Sequence, residues 1–479
     1  MTSKSFKISA QLKNNIDSLL SGKYGLILFN FYAARFNIPK EVLNQYLKLR
    51  ISISYNTKNA KFDNILSKSS IFVSIIKYIG YIFSVLFFSK IINKKYQYSL
   101  LVDDLQHLGE IDRWLQLEKE FTVEKTVFIA KSHSVKPLNN NNIVYREQLK
   151  GYDRKLILKN FPKMLLSDLF RLILVSFKLN INLIHLHLHF INDYFYYQSL
   201  FKICSAQYMI QDRNLGRTNA LKNHLFKISG GIISSCIQKN ILEHNSSALF
   251  YDTDIFFSYG NKTSEDIIAL GARIDNVVPV GSLSMDNALS KLNLNPIVSK
   301  HFDILYIGQN TKSLKTNWKF NYESIVWLVK LQLEKPNLKI AIKHHNSWTG
   351  DNEEFEITKG SSIEYIDYSM NSYEVGLQTN LVLTYGSSMG YELISQGVSV
   401  AFLDPGKENP FINNFVYSDN IVISSYADLK SMIQNEEINS QNLNVKDVKD
   451  YCFTEPGVSK KIYEYLYSYE DSKTNKKLT

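Results

Sequence analysis

The chain has 479 residues, enough for about three average domains, with 45% hydrophobic and 21% charged residues. That length and balance exclude a disulfide-stapled miniprotein and a disordered chain. The net charge of +10, from 55 Lys+Arg against 45 Asp+Glu, suits nucleotides, acidic sugars or anionic lipid and does not require a nucleic-acid partner.

Residues 1–95 read as a helical N-terminal extension, with Pro39 as the only proline. The most apolar run, Ile71–Phe88, approaches the ~20 residues of a bilayer span, but Lys77 interrupts it. Ser70, Ser74, Lys77, Tyr81 and Ser84 fall on one helical stripe. Three accounts stay open for this run: a helix packed on the first domain with a wetter edge, peripheral membrane contact through residues 71–95, and a true span. Lys90, Lys94 and Lys95 follow it and favour an anionic surface under either membrane account. The N-terminal MTSKSFKISAQLKNN has no apolar run of a signal peptide, so the expected location is the cytoplasm, at most peripheral on the inner face of its membrane. Cys204, Cys236 and Cys452 show no CxxC spacing and read as core thiols of a reducing compartment.

From Tyr98 the pattern changes to short β-branched or apolar runs alternating with amphipathic stretches. Strands are predicted at Tyr98–Asp103, Thr126–Ala130, Leu183–Phe190 and Ala206–Ile210, and helices at Ile111–Glu120 and Phe161–Phe177. The alternation restarts at Asp303 with DILYIG. A helix at Tyr322–Leu333, strands at Lys339–Lys343, Leu381–Tyr385 and Val398–Leu403, and a helix at Ser388–Gln396 follow. Such alternation means parallel sheets with crossover helices. The expected organisation is the extension 1–95, an α/β domain at 96–290, a second at 300–445, and a C-terminal helix and tail at 446–479.

Chemistry concentrates in Leu381–Gly406. The strand ends at Tyr385, and Gly386-Ser387-Ser388 turns into a helix whose N-terminus and hydroxyls suit a phosphate. Ordinary serine capping explains the same residues without a ligand. Glu392 is placed to accept from ribose hydroxyls. Lys343-His344-His345-Asn346 ends a preceding strand on the same edge, where cations neutralise a phosphate or protonate its departing oxygen; a locally hydrogen-bonded histidine pair is the plainer account. Gly308-Gln309 opens a third loop on that edge, without Walker spacing.

Asp212, between Gln211 and Arg213 with Arg217 nearby, follows an apolar run. Flanking arginines would keep its carboxyl ionised, as a nucleophile requires, and a structural Asp–Arg pair is the alternative. His185, His187 and His189 alternate with apolar residues, so on a strand they share one face: a cleft wall, or less readily a metal array. Asp103-Asp104 with His107 is a further acceptor-side candidate, read more simply as a solvated loop.

Residues 205–406 resemble nucleotide-sugar glycosyltransferases of the GT-B fold that build bacterial capsule and lipopolysaccharide. Asp254–Gly260, Leu270-Gly271-Ala272, Val280-Gly281-Ser282 and Asp286 are similar to those families' run into the interdomain linker. Lys343-His344-His345 resembles the HP motif, and Ser387, Ser388 and Glu392 the serine motif, of bacterial sialyltransferases and Kdo transferases that use CMP-activated acidic sugars. His345 or Asn346 stands where that motif has proline. The Asp212 segment resembles the E-D-G segment of polysialyltransferases and retaining β-Kdo transferases, with Arg213 in place of the glycine.

The resemblance implies two Rossmann-like domains facing a cleft, a CMP-sugar substrate without cofactor or metal, and a glycan or lipid-linked glycan acceptor. It implies Asp212 and His344 as catalytic groups, Lys343, His345, Ser387, Ser388, Glu392 and Gln309 at the donor, and Arg213, Arg217 and His187 toward the sugar carboxylate or acceptor. A CDP-polyol phosphotransferase, a nucleotide-sugar epimerase and a non-catalytic assembly scaffold are the competing functions.

Overall fold

The computed structural model describes residues 4–53, 55–56, 61–62, 70–88, 95–105, 111–131, 142–146, 154–211, 219–239, 250–294, 302–308, 318–344, 351–367, 370–407, 421–434, 452 and 455–476. The chain divides into two compact units. Unit 1 holds residues 1–257, 264–278 and 459–479, and unit 2 holds 258–263 and 279–458.

Unit 1 opens with α1 (Lys4–Ser21), α2 (Lys23–Phe36) and α3 (Lys40–Ile53). A two-stranded hairpin of β1 (Tyr55–Asn56) and β2 (Lys61–Phe62) precedes α4 (Ile71–Phe88). The sheet then uses β3 (Tyr96–Leu105), β4 (Thr126–Ala130), β5 (Asn142–Tyr145), β6 (Cys204–Gln211), β7 (Ile233–Ile237), β8 (Asp252–Ser258) and β9 (Arg273–Pro279). Its order is β5-β4-β3-β6-β7-β8-β9, parallel from β5 to β8. Helices α5 (Leu115–Phe121), α6 (Arg154–Lys163), α7 (Leu169–Leu179), α8 (Leu183–Ile203), α9 (Asn219–Ile228) and α10 (Asn261–Ala269) lie between the strands. Cys204, Cys236 and Cys452 are buried free thiols, as their spacing predicted.

Three elements differ from their sequence reading. Leu183–Phe190 is no strand; it opens the 21-residue helix α8, which Asn182 caps by accepting from His185 N–H at 3.2 Å. Apolar residues cover most faces of this helix, so burial suits either periodicity, and the unbroken run to Ile203 decides for helix. His187 therefore faces the core. It is fully buried among Phe31, Phe36, Tyr78 and Phe190, bonded to the Tyr32 hydroxyl at 2.8 Å, and burial lowers its pKa to about 3. His185 and His189 meet edge to face one turn apart on another face, so the three imidazoles share no side. Among the described residues no group of three His, Cys, Asp or Glu is placed to hold a metal.

Phe161–Phe177 is two helices, because Pro162 and a π turn at Met164–Asp168 interrupt the ladder. Finally, the polar stripe of α4 is wet only in part. The buried Asn182 amide needs acceptors and takes both Ser70 and Ser74 hydroxyls at 2.8 Å, and Tyr81 reaches Asn192. Ser74 is buried; only Lys77 and Ser84 of that stripe are exposed. The N-terminal helices share the core of unit 1: Ile16, Phe29, Tyr46 and Tyr78 belong to one hydrophobic cluster with Leu101 of β3, Val127 of β4 and Phe190 of α8.

Asp103 on β3 is a strand residue, fully buried, and not part of a solvated loop. It takes the Lys222 ammonium at 2.6 Å and Arg146 at 3.2 Å. Burial pushes its carboxyl pKa up, but the two cations outweigh it and hold the group below the usual range. A depressed carboxylate contributes stability that is present above the unfolded pKa of about 4 and lost as pH falls through both values. Asp103→Asn, read by urea unfolding at neutral pH, should destabilise unit 1 by about 3–5 kcal/mol, since it leaves Lys222 buried without its counter-charge. The variant should also lose part of the wild-type decline in stability below about pH 4.

Candidate functional site

Unit 2 is built on β10 (Ile304–Ile307), β11 (Ile340–Lys343), β12 (Glu364–Tyr365), β13 (Leu381–Thr384), β14 (Ser399–Leu403) and β15 (Val422–Ile423). They form an all-parallel sheet in the order β12-β11-β10-β13-β14-β15. Helices α11 (Leu283–Leu294), α12 (Trp318–Glu334), α13 (Asn352–Thr358), α14 (Ser372–Gly376), α15 (Met389–Ile394) and α16 (Tyr426–Gln434) belong to this unit; α17 (Val458–Lys476) returns almost entirely to unit 1. The order reverses between β10 and β13. Ligands of open parallel sheets bind outside the strand C-termini at such a switch point.

Register sets the site. Lys343, Ile307 and Thr384 stand abreast on β11, β10 and β13. The next residues, His344, Gly308 and Tyr385, therefore leave the sheet together, about 5 Å from strand to strand. His344 Nε2 lies 2.5 Å from Glu354 Oε1 of α13, and the Tyr365 hydroxyl donates to the same oxygen at 3.0 Å. All three come from unit 2, and His344 and Glu354 are buried. A carboxylate bonded to one imidazole nitrogen sets the tautomer and aims the other. The other nitrogen, Nδ1, lies against Gly308, where a Cβ would come within 2.2 Å of it. Glycine is needed there for close approach.

Lys343 is buried, with its ammonium donating to the His344 carbonyl at 3.2 Å; desolvation lowers its pKa and Asp367 partly offsets this. Across the switch point, Thr384 donates to the Ile307 carbonyl at 2.9 Å and accepts from Ser387 N–H at 3.1 Å. Ser387 Oγ accepts from Met389 N–H at 3.3 Å, while the Ser388 side chain makes no capping bond. The helix that follows is only six residues long. Tyr385 is buried and stacks on Phe320 of α12.

Of the sequence-predicted donor residues, the structure gathers Lys343 and His344 at the end of β11 and Ser387 and Ser388 after β13. Glu392 is fully buried and accepts from the Ser282 hydroxyl, which ties the start of α11 to α15. His187 lies in the core of unit 1, as above. Gln309, His345, Asp212, Arg213, Arg217, Asn346, His107, Lys90 and Lys94 lie outside the described residues. Gln211, which precedes Asp212, pairs with Asp103 across β6 and β3, the switch point of the first sheet. Sequence reasoning missed Glu354 and Tyr365. The signal for α13 was present: Asp351 caps it by accepting from Glu353 and Glu354 N–H, and an aspartate followed by two glutamates marks a helix start. Nothing local announced that Glu354 would meet His344.

No protein-family model matches the chain, and no curated protein matches it by sequence. Solved structures do. A variant of the wall teichoic acid polymerase TagF soaked with CDPG superposes with a TM-score of 0.50 at 10% identity, covering 85% of this chain and 99% of that one. UDP-GlcNAc 2-epimerase from Neisseria meningitidis bound to UDP-GlcNAc gives 0.48 at 12% identity, covering 78% and 100%. S. aureus MnaA with UDP gives 0.48 at 10%, covering 78% and 97%. The likeness to TagF shows the fold: an α/β chain with two parallel sheets of the GT-B type and a helical N-terminal region.

Gly308→Ala should cost about 1–3 kcal/mol in denaturant unfolding, because its methyl displaces the His344 ring. The double variant Gly308→Ala, His344→Ala should be no less stable than His344→Ala alone. Additive losses would show that the clash lies elsewhere.

Proposed function

We propose that the chain is a glycosyltransferase that binds a nucleotide-activated donor in unit 2. The observation that supports this most is Lys343-His344 at the end of β11, abreast of the β10/β13 switch point, with the imidazole held by Glu354. A lysine neutralises a departing phosphate, and the oriented histidine, when it carries a proton on both ring nitrogens, donates to it. Ser387 and Ser388 add hydroxyls at the end of β13, and Gln309 and His345 follow Gly308 and His344 in sequence.

The donor is a CMP-linked acidic sugar, Kdo or sialic-acid-like, and the acceptor a glycan or lipid-linked glycan of the bacterial surface, met in the cytoplasm. No cofactor takes part. Asp212 is the group in unit 1 that does the chemistry. As nucleophile it attacks the anomeric carbon, CMP leaves with the electron pair of the broken C–O bond, and a glycosyl ester remains. As general base it takes the proton of the acceptor hydroxyl instead. Arg213 and Arg217 keep it ionised or pair with the sugar carboxylate. A second reading, transfer of polyol phosphate from a CDP donor, is favoured by the fold likeness to TagF, whose structure was soaked with CDPG.

A thermal-shift panel of CMP, CDP, UDP and GDP tests the donor, with stabilisation by a cytidine nucleotide expected. His344→Ala should weaken that binding roughly 10- to 100-fold, the loss of one charge-assisted contact at about 1.5–3 kcal/mol. An epimerised nucleotide sugar formed from donor without acceptor would make the chain an epimerase, and no nucleotide binding at all would make it a scaffold; either overturns the proposal. Intact mass after incubation with donor alone assigns Asp212. A one-sugar adduct absent from Asp212→Asn marks the nucleophile, an inverted product without adduct marks the base, and full activity in Asp212→Ala removes it from the reaction.

A further inference from the structure

The water-facing side of α4 is apolar. Phe72, Ile76, Phe83 and Phe87 recur at i, i+4, i+11 and i+15, one helical stripe, and Phe72 and Phe87 are 71% and 74% exposed. The opposite side, with Ser74, Tyr78, Ile82 and Val85, is buried in the core of unit 1. On α7 the same arrangement repeats: Phe170, Leu174 and Phe177, at i, i+4 and i+7, are exposed at 65%, 52% and 54%, while Leu172, Val175 and Ser176 are buried.

Both helices pack on α8. They meet at its first residues: Asn182 donates to Ser70 and Ser74 beside α4, and Ser176 of α7 accepts from Leu183 N–H at 3.0 Å. Both helices are thus anchored at the same end of α8, each with its apolar stripe exposed. Between them in the chain, α6 packs on α4 through Phe161 and Phe83 and exposes Leu158. Large apolar side chains left exposed on three linked helices are the kind of surface that docks on a partner.

Charge identifies the partner. Lys77, Lys159, Lys163, Arg171 and Lys178 are exposed on these helices. No Asp or Glu occurs within α4, α6 or α7, and Asp168, between α6 and α7, is buried and paired with Arg35 at 3.0 Å. A second copy docked through the same face would set these cations against one another, since a two-fold contact is made by the same patch on both sides. An anionic bilayer surface satisfies both features, taking aromatic side chains to the acyl boundary and cations to the headgroups.

We infer that α4, α6 and α7 form a monotopic docking face for anionic phospholipid, with α4 lying in the plane of the membrane. Its buried side is committed to the protein core, and among the described residues no helix is long and apolar enough to cross a membrane. The inference does not rest on the donor proposed above, and nucleotide-induced stabilisation serves as an independent control.

Flotation of the full chain with vesicles tests it, comparing phosphatidylcholine alone with phosphatidylcholine mixed with phosphatidylglycerol. Binding to the anionic vesicles that weakens as salt rises is expected. Each cation removed from the pair Lys159→Gln, Lys163→Gln should lower partitioning about 5-fold. Phe72→Ser and Phe87→Ser should each lower it on the order of tenfold or more, with unfolding midpoint unchanged because both rings are exposed. Three results overturn the inference: no binding by folded protein, equal binding to both vesicles with no effect of the lysine variants, or a concentration-dependent dimer that Phe72→Ser dissolves.

Discussion

Parallel strand pairing is the constraint from which the rest of each unit follows. A parallel strand cannot reach its neighbour through a tight turn; the chain must cross back over the sheet, usually as a helix. The parallel strands of each sheet therefore end on the same edge, and residues distant in sequence are delivered there together. Lys343, Ile307 and Thr384 stand in one row for this reason, and so do Asp103 and Gln211 in unit 1. Both sheets reverse winding after their third strand, which sets the switch point beside the first, β3 in one and β10 in the other, and each places buried polar groups beside that point.

The two edges handle charge differently. In unit 1, Asp103 is surrounded by Lys222 and Arg146, a closed ionic cluster with both signs present. In unit 2, the buried Lys343 has its charged form disfavoured by desolvation, with Asp367 offsetting part of it. A satisfied cluster holds a strand end in place; a cation whose charged form is penalised gains when an anion arrives. The Glu354–Tyr365–His344 arrangement belongs with the second case, because one oxygen of Glu354 takes both neighbours and fixes the ring against Gly308. The closeness of that fit leaves no room for any other residue at 308.

The helical region depends on α8. Its Asn182, His187 and Asp193 each bond side chains from the N-terminal helices: Ser70 and Ser74, Tyr32, and Tyr46 with Arg50. Burying Ser74 beside Asn182 turns that stretch of α4 inward with Tyr78, Ile82 and Val85, and leaves Phe72, Ile76, Phe83 and Phe87 outward. The exposed aromatic stripe is a direct consequence of where the polar partners had to go.

Periodicity in the sequence located α4 at Ile71–Phe88, β4 at Thr126–Ala130, the restart of alternation at Asp303 and the serine turn after β13, since these are local signals of pattern and turn chemistry. It did not separate helix from strand at Leu183, because a run that is apolar on most faces satisfies both periods over seven or eight residues. Nor did it show which side of α4 is wet. That depends on Asn182, more than ninety residues away in the chain. Lys343, His344 and Ser387 were legible as chemistry at strand ends, whereas Glu354, Tyr365 and the closeness of Gly308 to His344 were decided only in three dimensions. A strand end can be read from its own residues; what stands beside it is set by sheet order and register, which pair segments the sequence keeps apart.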